Sequence, residues 1–404
     1  MHSFTSITAN YLPKARVLAS SIKRHNPDCQ FHILISDKLP EWIDMTKEPF
    51  DSVITIEELG IPNLSGWIFK HSIVELCTAV KGLGFQEILK RHNAEIIFYF
   101  DPDIVVFSSL ANLIAKLKET SVLLTPHQTV PETDRGAIID NEISSLKHGV
   151  YNLGFLALRN TDEGRKFLKW WSDRLSHFCY DDICGGLFTD QRWMDLAPAF
   201  FQDIHILREP NYNVSTWNLT HRTASGSLKY GVKINGLPLC FYHFSGFDSG
   251  AQEVMLNKYI GNSHVLKELR KWYIEQCRVH GQDELGLIPG KYCVYDNGEK
   301  IGKNERILYR SRQDLQAAFP NPFDTNDIDK SYFHWYRANV TRKSYRKADG
   351  KNQDTMESLR SQLSDVYQEL NTIKASGSWR LVRAIASLRK RFFLTQQPIN
   401  QRTL

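Results

Sequence analysis

Five consecutive apolar residues, Ile96-Ile97-Phe98-Tyr99-Phe100, run without a polar interruption into Asp101-Pro102-Asp103. In an extended chain successive side chains point to opposite faces, so a run that is apolar on both faces has to be covered on both. Its β-branched and aromatic residues favour a strand. Such a strand belongs in the interior of a sheet with helices on either side. Pro102 cannot donate to a ladder, so pairing stops there and the flanking carboxylates emerge at the strand's end. Ligands of open α/β sheets bind in the crevice at the carboxyl ends of the strands. Asp101 and Asp103 are hard oxygen donors suited to Mg²⁺ or Mn²⁺, and a metal held there could hold a diphosphate. Asp-Pro-Asp is also ordinary turn chemistry, so its weight depends on what the rest of the chain brings to it.

The surrounding pattern agrees with a covered sheet. Asn10–Arg24 has helical periodicity, with Leu12, Ala15, Leu18, Ala19 and Ile22 on one face. Phe31–Ile35 and Ser52–Ile56 read as strands, Ser72–Leu89 as a helix broken at Gly82/Gly84, and Leu110–Leu117 as a helix. Ser121–Thr125 and Val150–Leu158 are further strands, and Asp162–Phe178 is a helix carrying Trp170 and Trp171. Strands alternating with helices predict an α/β fold, a mostly parallel sheet covered on both faces. We expect a catalytic domain over residues 1–265 and an accessory region over 266–350, rich in aromatics and arginine.

Two features follow. Met356, Leu359, Leu363, Val366, Leu370 and Ile373 alternate spacings of three and four, the seam of a short coiled coil over 351–375 that could join two copies or lie on the body. Residues 376–404 predict a basic amphipathic tail, with Leu381, Val382, Ile385 and Leu388 on one face and Trp379, Phe392 and Phe393 near its ends. From Lys374 onward there are seven basic residues and no acidic one, whereas the whole chain carries only +5. The asymmetry suits an anionic membrane surface; a solvated charge run is the plainer alternative. Nucleic acid is not expected as a partner, because the excess of basic over acidic residues is confined to the tail and no binding motif accompanies it. No apolar run approaches the roughly 18 residues of a membrane span, and the opening MHSFTSITANYLPKARV lacks a signal-peptide core. The seven cysteines are odd in number and form no CxxC pair, as expected of reduced thiols in a cytoplasmic protein, here peripheral on the membrane's inner face.

Four motifs bear on the aspartate pair. Tyr151-Asn152-Leu153-Gly154-Phe155 places Asn and Gly inside a strand, where glycine marks a bulge or a close approach. Thr189-Asp190-Gln191-Arg192-Trp193 offers either a helix N-cap or polar groups for a substrate. Tyr242-His243-Phe244-Ser245-Gly246-Phe247 puts a histidine on a strand that ends in a glycine turn; most such histidines are simply packed, but beside two carboxylates an imidazole favours Mn²⁺ over Mg²⁺. Lys70 and Lys81, in the helical segment ahead of the Asp101 strand, are candidate diphosphate partners or surface lysines.

In this order the motifs resemble GT-A glycosyltransferases, glycosyltransferase family 8 in particular, over roughly residues 3–250. The segments TAVK, DPD, YNLGF, DQRW and HFSGF are similar to those of a bacterial subgroup that builds cell-surface polysaccharide such as O-antigen or capsule. The resemblance implies a GT-A (Rossmann-like) fold and retaining transfer from a nucleotide-sugar, most simply a UDP-sugar, to a glycan or lipid-linked glycan acceptor. It assigns Asp101, Asp103 and His243 to Mn²⁺ (or Mg²⁺), and Asn152, Asp190 and Gln191 to the donor sugar and reaction centre. Thr8 and Tyr11, at the junction of the first strand and helix, would join Lys70, Lys81, Asn152, Gly154 and Gly246 around the donor. The family usually follows its His-x-Gly turn with Lys-Pro-Trp, whose lysine grips diphosphate. Here the chain reads Phe247-Asp248-Ser249-Gly250, so that charge would fall to Lys70, Lys81 or Arg159. Two other readings use the same residues: a sugar nucleotidyltransferase, which normally has a glycine-rich loop missing from Tyr11–Arg16, and a non-enzymatic coiled-coil scaffold with a GT-A-like body.

Overall fold

The computed structural model describes residues 1–261 and 263–341. Strands β1 (His2–Ile7), β2 (Gln30–Ile35), β3 (Ser52–Thr55), β4 (Ile96–Phe100) and β5 (Ile104–Val106) come first along the chain. They are followed by β6 (Val122–Pro126), β7 (Tyr151–Arg159), β8 (Ile204–Ile206) and β9 (Phe241–His243). Seven form one sheet in the order β8-β6-β7-β4-β1-β2-β3. All its pairings are parallel except those of β7, which runs antiparallel to β4 and β6. The fold is therefore mixed α/β with a mostly parallel sheet, as its alternating segments predict.

The apolar run occupies the expected place. Ile97 and Tyr99 face one core, shared with Leu76, Phe85, Ile88 and Trp171 from the helices Ile73–Ala79, Lys81–His92 and Asp162–Phe178. Ile96, Phe98 and Phe100 face the other, shared with Leu18 and Ile22 of the helix Leu12–His25 and with Leu113 and Leu117 of Ala111–Leu117. Asp162–Phe178 starts where its N-cap dictates, the Thr161 hydroxyl accepting from the Gly164 N–H at 3.0 Å.

Two local expectations are corrected. Gly82 and Gly84 do not break a helix: the interruption is at Val80, and both glycines lie within Lys81–His92. They let neighbours approach closely. A Cβ at Gly82 would lie 2.4 Å from Ser172 Oγ and 2.9 Å from its Cα, and one at Gly84 would lie 2.7 Å from the Phe4 ring. Thr189 and Asp190 do not cap a helix either. The 3₁₀ turn Arg192–Leu196 begins after Gln191 with no side-chain cap, and Thr189 is left-handed at φ +45°.

The compact unit runs from Met1 to Tyr332 and includes the helices His264–Val279, Lys303–Ser311 and Gln313–Ala318. Arg306 anchors this stretch by donating from Nη1 to the backbone oxygens of Phe69 (2.9 Å) and His71 (2.6 Å). A second unit begins at Phe333. Its described part is helical, Tyr332–Tyr336 being followed by Arg337–Thr341, with the Arg337 guanidinium 3.6 Å from the Phe333 ring centre. The predicted seam over 351–375 and the basic tail over 376–404 lie outside the described residues. Among the described residues no helix is long and apolar enough to cross a membrane.

The glycine contact yields a prediction opposite to helix propensity. In an exposed helix, Gly→Ala gains about 0.5–1 kcal/mol. At Gly82 the methyl would drive into Ser172, and overpacking of that kind costs about 1–3 kcal/mol. Urea unfolding of Gly82→Ala should show a net loss; a gain would mean that the helix pair can separate freely.

Candidate active site

Backbone pairing assembles the site. β4 ends at Phe100, and the Asp101 N–H donates to the Gly154 carbonyl at 2.7 Å. The Ile104 N–H closes a turn on the Asp101 carbonyl at 3.0 Å, placing Asp101 and Asp103 at the carboxyl end of the sheet. β5 then pairs antiparallel with β9 in the register Ile104↔His243, and the Phe244 N–H donates to the Asp103 carbonyl at 2.9 Å. An imidazole from a distant part of the chain thus faces the aspartate pair. His243 Nε2 lies 3.0 Å from Asp103 Oδ1 and 3.9 Å from Asp101 Oδ2.

These three residues are the one group among the described residues whose donor atoms converge, within 4.8 Å of one another, as a metal site requires. Neighbouring ligands of an octahedral Mg²⁺ or Mn²⁺ at bond lengths near 2.1 Å stand about 3 Å apart, close to the Asp103–His243 separation. His243 Nδ1 faces the Asn152 side-chain oxygen at 3.2 Å. A proton on Nδ1 would satisfy that oxygen and leave the Nε2 lone pair toward the carboxylates, the arrangement usual for ligating histidines. Gly154 makes room for the ring, since a Cβ there would meet His243 Cε1 at 2.4 Å and Nδ1 at 2.7 Å. The residues present therefore fit a divalent cation. Burial favours a neutral His243, but Asp103 outweighs it and raises the imidazole's pKa. Burial likewise opposes charge on Asp103, which His243, and then Lys14, nevertheless hold below its ordinary value.

Beside the triad is a second charged group. Lys81 is 2% exposed and bridges Asp101 (3.2 Å) and Asp190 (2.9 Å), while also donating to the Leu153 carbonyl at 3.0 Å. Burial disfavours charge on Lys81, yet the two carboxylates overcome it and raise its pKa. Asp190 is raised too, first by burial and then by Asp101, because it has only a share in one lysine.

Asn152 and Gln191 complete the polar floor. The Asn152 amide donates to Gln191 Oε1 at 3.3 Å, and Gln191 Oε1 also accepts from the Leu153 N–H at 3.2 Å. β7 bulges against β6 here: Leu124 pairs with Leu156 but Pro126 with Tyr151, so Asn152 and Gly154 have no paired partner on β6. Lys81, Asp101, Asn152, Gly154, Asp190, Gln191 and His243 line one cavity of about 350 Å³. Thr8 and Tyr11 follow β1, Thr8 donating to Asn10 at 2.5 Å and Tyr11 to Asp248 at 2.6 Å. Gly246 shapes the turn after His243 with φ +75°. Lys70 is not brought to this cavity and lines another with Trp67, Tyr180 and Tyr309. Arg159, at the end of β7, faces Glu95 at 3.9 Å.

Sequence reasoning missed three neighbours. Asn213, fully buried and left-handed, donates to Asn152 Oδ1 and Thr125 Oγ1 at 3.1 Å each. His127 follows β6 and lies 3.2 Å from the Asn152 amide, and the Trp217 ring stands edge-on to both His127 and His243 with centres 5.3 Å apart. His127 had a readable signal, since it follows a buried strand's carboxyl end as Asp101 does.

No family model matches the chain. It is 29% identical over 174 residues to YfnF of Bacillus subtilis (strain 168), an uncharacterized protein, covering 43% of this chain and 57% of YfnF. To YfnD of the same strain, also uncharacterized, it is 26% identical over 250 residues, 61% of this chain and 78% of YfnD. The chain thus spans little more than half the length of YfnF. Among solved structures, the galactosyltransferase LgtC in complex with donor and acceptor sugar analogues aligns at TM-score 0.43 and 15% identity, covering 72% of this chain and 98% of that one. The glycosyltransferase GlyE of Streptococcus pneumoniae TIGR4 aligns at 0.40 and 16%, covering 73% and 66% respectively.

The shared lysine makes a stability prediction. Lys81→Met leaves Asp190 buried beside Asp101 without its counter-charge, and uncompensated buried charge costs about 3–5 kcal/mol. Urea denaturation at neutral pH should show that loss, and adding Asp190→Asn should recover part of it. No recovery would mean that Asp190 is not the carboxylate Lys81 serves.

Proposed function

We propose that this chain is a metal-dependent glycosyltransferase that moves a sugar from a nucleotide-sugar, most simply a UDP-sugar, to a glycan or lipid-linked acceptor during bacterial surface-glycan synthesis. The observation that carries this reading is the convergence of Asp101, Asp103 and His243 at the carboxyl end of a mostly parallel sheet, against a cavity floored by amides. Bound there, Mn²⁺ or Mg²⁺ would act as a Lewis acid toward a departing diphosphate.

The remaining roles belong to the chain's own groups. Asn152 and Gln191 orient sugar hydroxyls, each amide offering a donor and an acceptor. Asp190, buried and paired electrostatically with Lys81, presents negative charge toward an oxocarbenium-like sugar and positions it. We do not assign it as a covalent nucleophile. Lys81 keeps that carboxylate in place. Same-face substitution follows from the family resemblance, and 1H NMR of the first-formed product's anomeric centre tests it. Peripheral attachment to an anionic membrane by residues 376–404, and pairing of two copies through 351–375, belong to the same proposal on sequence grounds.

Ligand binding must raise apparent native stability, by about 2.7 kcal/mol at a concentration about 100 times Kd. In a thermal-shift screen of nucleotides and nucleotide-sugars with Mn²⁺, Mg²⁺ or EDTA, one metal–nucleotide pair should raise Tm. EDTA and Asp103→Ala should each abolish the rise. Silence across the panel at saturating ligand would favour the scaffold.

A further inference from the structure

Lys14 is 1% exposed, in the first turn of the helix Leu12–His25, and its ammonium has one ion-pair partner among the described residues. That partner is Asp248, approached at 2.6 Å on Oδ1 and 2.5 Å on Oδ2. The Tyr11 hydroxyl donates to Oδ2 as well, at 2.6 Å, and its ring lies 4.0 Å from the ammonium. Two donors from the first strand-to-helix junction therefore grip one carboxylate that comes from far along the chain.

The partners are unequally committed. The lysine is sealed in, whereas the Asp248 side chain is 49% exposed. An exposed carboxylate exchanges readily for water, but a buried ammonium needs an anion. The turn that carries Asp248 is bracketed by Gly246 and Gly250, both left-handed at φ +75° and +78°, and a Cβ at Gly250 would meet nothing within 4 Å. It leaves directly from the candidate metal site, with His243 and Asp103 at its root and Ser245 on the cavity wall.

We infer that Asp248 is an internal substitute for an anionic ligand, and that a nucleoside diphosphate displaces it to pair with Lys14 and Tyr11. This rests on the proposed function and adds to it the cation that receives the phosphates and the carboxylate that must first leave. Lys81 cannot take that part, because Asp101 and Asp190 already hold it. Tyr11 and Lys14 reach the ligand from the first strand-to-helix junction, and Asp103 and His243 from the candidate metal site. The turn between Gly246 and Gly250 swings out as the diphosphate enters.

The test is calorimetric titration of the full chain with UDP and Mn²⁺, with inorganic pyrophosphate and Mn²⁺, and with uridine. Asp248→Asn keeps an acceptor for Lys14 and Tyr11 but removes the competing charge. It should tighten UDP and pyrophosphate by about tenfold, the equivalent of one charged hydrogen bond, and leave uridine unchanged. Lys14→Met should weaken both phosphates by a similar factor. A gain of affinity cannot come from a damaged fold, so Asp248→Asn decides the matter even if Lys14→Met does not fold. Equal UDP affinity in the parent chain and Asp248→Asn would overturn the displacement while leaving the enzyme reading intact. UDP binding by a folded Lys14→Met at parental strength would overturn the role of Lys14. Absence of UDP binding in every form would overturn both this inference and the function on which it rests.

Discussion

The buried Lys81 ammonium is the interaction on which the site's architecture depends. It ties the helix Lys81–His92 to the end of β4 through Asp101, to the loop before Arg192 through Asp190, and to the β7 bulge through the Leu153 carbonyl. Burial works against the charge on Asp190 and on the ammonium alike, and each offsets that cost for the other. The helix presents this lysine because Gly82 and Gly84 let it lie close to Ser172 and Phe4. Close packing on one side of the helix is thus what delivers a charge to the crevice at its end.

Much of the frame was legible. The unbroken apolar run at Ile96–Phe100 demanded cover on two faces and received it. The helix Asp162–Phe178 was readable to the residue, and the structure shows why its start is local: Thr161 caps it. Asp101, Asp103 and His243 stood out as donors of the right kinds, and the structure brings their donor atoms together.

What escaped was set by partners distant in sequence. Gly82 and Gly84 look like helix breakers until Ser172 and Phe4 are placed against them. Thr189-Asp190 looks like a cap until Lys81 takes the carboxylate. Asn213 gives no local sign that it will donate to Asn152, and nothing near Asp248 in sequence reveals that it will meet Lys14. The helix Lys303–Ser311 is tied to the body by Arg306 and the carbonyls of Phe69 and His71, a long-range match that periodicity does not encode.

The pairing of β5 with β9 has a consequence of its own. His243 faces Asp103 because it stands opposite Ile104, while its neighbour Tyr242 stands opposite Val105 on the other face and packs 4.6 Å from Phe244. Side chains alternate along a strand, so a slip of one residue would withdraw the imidazole altogether and aim a phenol at the carboxylates. Gradual drift in this short pair is therefore not a route to a weaker triad. The triad is specified as an integer, present or lost, and the two short strands that hold it behave as a lock with a single position.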